Sequence, residues 1–110
     1  MRKIKFRVWD GEKIVIPDYI TRDGIAYWKE NSIREWARNN IMQYTGLKDK
    51  NGKECYDGDI IFSTGHGNKI IEWIDKDAAF GFKSNSGFTR LFGLIFEIIG
   101  NIYENPELLK

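Results

Sequence analysis

Polar and apolar residues alternate along much of this chain. Ile4, Phe6 and Val8 alternate with Lys3, Lys5, Arg7 and Trp9. A period of two predicts a half-buried strand, with the cationic set on its outer face. Asp10-Gly11 then marks a turn, and residues 13–16 return as a second strand. Pro17-Asp18 punctuates that return. Residues 19–21 and 25–28 flank Arg22-Asp23-Gly24, a further Asp-Gly hairpin. Beyond residue 41 the turn signals crowd. Asn51-Gly52 is a strong short hairpin signal, and Asp57-Gly58 follows six residues later. Residues 59–64 and 69–75 read as strands around the Gly65-His66-Gly67-Asn68 turn. Residues 79–83 alternate, with Phe80 and Phe82 on one face, and 84–87 form a polar loop.

One stretch departs from period two. Ser32 and Glu35 have capping-box spacing, and Ile33, Trp36 and Ala37 share a helical face. These residues predict one short helix over 32–40, stopped by Asn39-Asn40. The apolar run 88–99 fits both periods, and Gly93 weakens a helix there by about 1 kcal/mol. Its first part is read as a helical turn or irregular piece, and 96–103 as a buried strand. Asn105-Pro106 ends that strand and opens a last helical turn. Many short strands at close spacing predict a mainly β fold, a barrel or sandwich with minor helix.

Composition adds bounds. A chain of 110 residues with 15% aromatics holds one domain, 1–110, and too much apolar matter for a disordered tail. Seventeen basic residues nearly cancel sixteen acidic ones, and the pI near 7.8 argues against a dedicated nucleic-acid binder. The ends differ, with net +3 over residues 1–13 and net −2 over 97–110, an asymmetry that can steer self-association. The single Cys55 has no disulfide partner, and no apolar run approaches the ~20 residues of a membrane span. With no signal-peptide pattern either, a cytoplasmic location and no membrane partner are expected.

Three collinear blocks carry a family resemblance. The sequence Met42-Gln43-Tyr44-Thr45-Gly46-Leu47-Lys48-Asp49-Lys50-Asn51-Gly52-Lys53-Glu54 continues through Tyr56-Asp57-Gly58-Asp59-Ile60. A second block runs Ile98-Ile99-Gly100-Asn101-Ile102-Tyr103-Glu104-Asn105-Pro106-Glu107-Leu108-Leu109, and Ile4-Lys5-Phe6-Arg7-Val8-Trp9-Asp10 opens the chain. Together they resemble the YopX family of phage and prophage proteins. The resemblance implies a small SH3-like barrel in the C-terminal part, which the strand pattern sets at 41–105, and the hairpins and short helix read over 1–40 form an N-terminal region packed against it. It also implies an accessory protein of a bacterial host cell, oligomeric assembly and no established catalytic residue. Cys55 stands where an aliphatic residue is expected, which marks a core position. Segments 18–41 and 63–96 match no family pattern.

Candidate chemistry is sparse. Lys3, Lys5, Arg7 and Trp9 compose a cationic face ending in an aromatic, suited to nucleic acid. The alternative is an edge strand blunted by charge, and that reading is preferred. Residues 46–54 miss the phosphate-loop spacing, because five residues separate Gly46 from Gly52 and Glu54 follows Lys53. His66 and Cys55 fall short of a zinc set and are not expected to form a nucleophile pair. Glu54, Asp57 and Asp59 are read as turn carboxylates bonding backbone amides. Tyr27, Trp28, Arg34, Trp36 and Arg38 make a candidate protein interface, the equal alternative being that these aromatics pack on the barrel. The expectation is a non-enzymatic, self-assembling protein-interaction module without cofactor or metal. Its partners are copies of itself and a phage or host protein, and nucleic-acid binding is the less favoured alternative.

Overall fold

The pairing of distant strands sets this fold. The structure, a computed structural model, describes residues 3–85 and 87–109. Arg2 and Lys110, counted in the charges of the two ends, and Ser86, in the loop expected at 84–87, lie outside them. The first strands are β1 (Phe6–Trp9), β2 (Ile14–Val15), β3 (Tyr19–Ile20), β4 (Ala26–Glu30) and β5 (Ile33–Ala37). There follow β6 (Ile41–Lys48), β7 (Glu54–Tyr56), β8 (Asp59–Ser63), β9 (Gly67–Ile70) and β10 (Glu72–Ile74). The last are β11 (Ala79–Ser84), β12 (Gly87–Arg90) and β13 (Glu97–Asn101), and short 3₁₀ turns occupy Asp75–Asp77 and Pro106–Leu109. The protein is mainly β and curls into a half-barrel. No helix among the described residues is long and apolar enough to cross a membrane.

The sheets run β2-β1-β6-β7, β13-β8-β9, β10-β11-β12 and β3-β4-β5. Strand β1 pairs antiparallel with β6, Phe6 opposite Gln43 and Val8 opposite Ile41. The first hairpin, β1–β2, is therefore built into the same sheet as β6 and β7, whereas β3–β4–β5 forms a sheet of its own. Three apolar clusters fill the interior. The largest holds Cys55, Ile61, Ile71, Phe80, Phe82, Leu91, Phe96 and Ile98. A second joins Val8, Ala26 and Trp28, and a third joins Met42, Tyr44 and Tyr56, flanked by Trp9 and Tyr103.

Two sequence expectations are corrected. Residues 33–37 form strand β5, not a helix. Asn31 and Ser32 both adopt positive φ, 52° and 67°, and close a two-residue hairpin pairing Glu30 with Ile33. Positive φ at both central positions is the geometry of a tight hairpin turn whose twist matches the strands. The supposed helical stripe is not buried, since Ile33 and Trp36 are each 62% exposed. The strand expected over 69–75 is two strands, broken at the fully buried Ile71. The ambiguous run resolves into β12, an irregular bend and β13. Leu91 and Phe96 point inward there, while Phe92 and Ile95 point out.

Gly81 makes a testable point in β11. A Cβ at this position would lie 2.1 Å from the Thr89 carbonyl oxygen and 2.5 Å from Phe88 Cζ. The Phe88 ring covers this glycine, and the backbone of β12 leaves no room to give way. Gly81→Ala is expected to cost on the order of 2 kcal/mol by overpacking, read as a lower urea midpoint with unchanged slope.

Candidate functional site

The cationic strand is consumed by internal pairing. Lys5 Nζ donates to Glu54 Oε2 at 2.7 Å and lies 5.6 Å from the centre of the Tyr44 ring. The bond to Glu54 raises the Lys5 pKa and lowers that of Glu54. Arg7 donates to Asp59 Oδ1, and its guanidinium lies 4.3 Å from the Tyr56 ring centre. Trp9 stacks on Tyr103, with centroids 5.8 Å apart and planes 10° apart. The expected outer face of β1 is thus corrected for Arg7 and Trp9, while the Lys5 side chain stays 38% exposed. Of the four residues matched to nucleic acid, Lys3 alone is classed as exposed. The strand is covered on both sides because Val8 enters one apolar cluster while Trp9 flanks another.

The acidic residues serve the turns. Asp49 Oδ1 accepts the amides of Asn51 and Lys53 at 2.9 Å each, and Oδ2 accepts that of Ile98 at 3.0 Å. Burial pushes its carboxyl up, but these three amides outweigh it and hold the pKa below the usual range. Asp59 Oδ2 accepts the Tyr56 amide at 2.8 Å, and Asp57 accepts that of Gln43. Burial raises both carboxyls, against the pull of those amides and of Arg7. The Cys55 thiol is fully buried, and burial, reinforced by the Asp59 charge, raises its pKa far above the ordinary thiol value. His66 is half-buried, edge-on to Phe82 at 5.2 Å. Among the described residues no three His, Cys, Asp or Glu side chains are grouped to hold a metal ion.

The β4–β5 hairpin carries the interface candidates and sorts them by face. Its register sets Tyr27 opposite Trp36, Lys29 opposite Arg34, and Trp28 opposite Glu35. Alternation puts Tyr27, Lys29, Arg34 and Trp36 on the outward side. Arg38 lies beyond the end of β5 and lines the groove that Glu30 and Glu35 border. Trp28 departs from the set, because it faces inward at 5% exposure, packed with Val8 and Ala26. Tyr19, which sequence reasoning missed, joins the outward side opposite Tyr27. Their rings stack at 5.2 Å, and Arg34 donates to the Tyr19 hydroxyl at 3.0 Å. The pairing of 19–21 with 25–28 carried the signal that would have found it.

The surface carries two grooves of about 630 Å³, of which the first borders this hairpin. One lies between Trp9, Trp28 and Trp36, with Glu30, Glu35 and Arg38 at its walls. The other lies between Leu47, Trp73, Phe80 and Phe92. Phe92, 81% exposed, and nearby Ile95, 78% exposed, form a surface that the sequence pattern gave no reason to separate from the core. Strand β5 ends its sheet, and among the described residues it pairs with β4 alone.

Comparison with known proteins places these features in context. A family model described as YopX protein matches residues 5–110. A crystal structure of protein EF1440 from Enterococcus faecalis is similar over 100% of both chains, with 26% identity and a TM-score of 0.63. No curated protein matches the chain.

Proposed function

The chain belongs to the YopX family, and from that premise we propose that it is a phage- or prophage-encoded accessory protein that binds other proteins and copies of itself in the bacterial cytoplasm. The observation that carries this reading is the open edge of β5. Its backbone N–H and C=O groups have no further strand beside them among the described residues. Ile33 and Trp36 stand exposed along it, 62% each. An edge of this kind is a template for strand addition by another chain, with side-chain pockets giving selectivity. The groove beside Trp36 offers such a pocket. A non-enzymatic role accords with the commitment of Cys55, Asp49 and Asp59 to packing and turn geometry. Residues 41–105 are read as a small SH3-like barrel, supported by a main apolar cluster drawn entirely from residues 55–98.

Light scattering on the eluting protein tests the self-assembly. The parent is expected to elute as a defined oligomer. Ile33→Lys, which sets a charge on the edge, is expected to shift it toward monomer with an unchanged melting temperature. A strictly monomeric parent that recovers no phage or host protein would sink the proposal.

A further inference from the structure

We propose that the outward face of the β3–β4–β5 sheet is a platform for single-stranded nucleic acid, with Tyr19, Tyr27 and Trp36 stacking bases and Lys29 and Arg34 holding phosphates. The inference differs from the edge pairing above in using side chains of the sheet face rather than the β5 backbone, although Trp36 borders both.

The argument starts from how the hairpin distributes its charge. Its two carboxylates, Glu30 and Glu35, alternate onto the groove side, and Glu30 is further occupied by Lys13. The outward side receives Lys29 and Arg34 as a cross-strand pair. Like charges directly opposite one another destabilise a sheet unless an anion lies between them. The acidic neighbour at the rim is Asp18, whose Oδ2 accepts the Lys29 backbone amide at 3.2 Å. The aromatic residues complete the pattern. Tyr19 is 49% exposed and Trp36 62%, with half-buried Tyr27 between them in register. Arg34 is anchored at the platform's edge by the Tyr19 hydroxyl, its guanidinium 5.7 Å from that ring centre. Consecutive rings across adjacent strands, rimmed by cations, are what unstacked bases and their phosphates need. A duplex keeps its bases stacked inside and presents no free ring face to such a surface. The near-neutral total charge does not oppose the assignment, because the relevant cations are local to one face.

The test uses the full chain and a fluorescein-labelled oligothymidylate of roughly 12 nucleotides, within the site size of small binding folds. Anisotropy is expected to report binding that weakens as sodium chloride rises, together with quenching of tryptophan emission. Trp36→Ala is expected to weaken binding about 10-fold or more, and Trp36→Phe to restore most of it. Lys29→Glu with Arg34→Glu is expected to abolish binding, while Lys3→Glu leaves it nearly unchanged. All substituted side chains are exposed, and thermal melts verify that the variants fold. Several results overturn the proposal: no anisotropy change at low salt, equal binding of the matching duplex, or parent-like affinity in Trp36→Ala. Competition by polyglutamate as effective as that by unlabelled oligothymidylate would reassign the face to an acidic protein partner.

Discussion

Arg7→Met is expected to lower the unfolding free energy by about 3–5 kcal/mol, because it strands a buried carboxylate. The Arg7 and Asp59 side chains are 13% and 2% exposed. The guanidinium lies against the Tyr56 ring, and the Nη2 that donates to Asp59 also has Met42 Sδ 3.7 Å away. Met fills much of the same volume, so the loss reports charge rather than a cavity. Asp59 also holds the Tyr56 amide, so it cannot swing out to water without breaking the turn into β8. The cost should shrink on acidification. Without Arg7, the buried carboxyl is pushed up further, and protonation relieves the penalty as pH falls through its raised value. Replacing both partners, Arg7→Met with Asp59→Asn, is expected to recover part of the loss, since the Asn oxygen can still accept the Tyr56 amide and Arg7 Nε already lacks an acceptor among the described residues. Urea unfolding of the parent, both single variants and the double variant measures the coupling directly. A single-variant loss below about 1 kcal/mol, the range of exposed pairs, would refute this account.

The alternation at Ile4, Phe6 and Val8 located β1, and the Asp-Gly and Asn-Gly pairs located the β1–β2, β3–β4 and β6–β7 hairpins. Gly52 and Gly58, for example, take φ of 83° and 87° where the sequence requires turns. What the sequence could not carry was the partner on each side of a strand. The polar positions of β1 look solvent-facing by pattern, yet Glu54 and Asp59, about fifty residues away, reach Lys5 and Arg7. Pattern alone treats a cation as a surface residue, whereas a long side chain with a carboxylate and an aromatic beside it can line an interior. The false helix at 32–40 has a similar cause. Capping-box spacing is a local signal, and the left-handed pair Asn31-Ser32 fixed a hairpin instead. That error hid the candidate site. Read as a helix, Trp36 belongs with Ile33. Read as a strand, it joins Tyr27 and Tyr19, and a dispersed aromatic content becomes one face.

Asp49→Asn is expected to cost on the order of 3 kcal/mol and to flatten the acid limb of the stability curve. The residue is 7% exposed and accepts three amides from two distant segments. Two of them close the Asn51-Gly52 turn, while the third comes from Ile98 in β13. An amide side chain supplies one oxygen, so the Asn side-chain nitrogen must face a backbone N–H as donor against donor. Hydrogen bonds to a charged acceptor contribute about 1.5–3 kcal/mol, and an orphaned buried donor adds its desolvation cost. For a domain of this size the melting temperature should fall by roughly 10–20 °C. The pH dependence follows from the direction of the shift. The folded pKa lies below the ordinary 3.8, so the contribution of Asp49 is present above that value. It is lost as pH falls through the folded pKa, where the carboxylate takes a proton and surrenders its amides. The Asn variant has no such proton to take. Its stability deficit should therefore be largest near neutral pH and narrow toward strongly acidic pH, measured by denaturant titrations across that range. A deficit that stays constant down to strongly acidic pH would mean that Asp49 acts through shape alone. A deficit that narrows would identify its charge as the link holding the Asn51-Gly52 hairpin against β13.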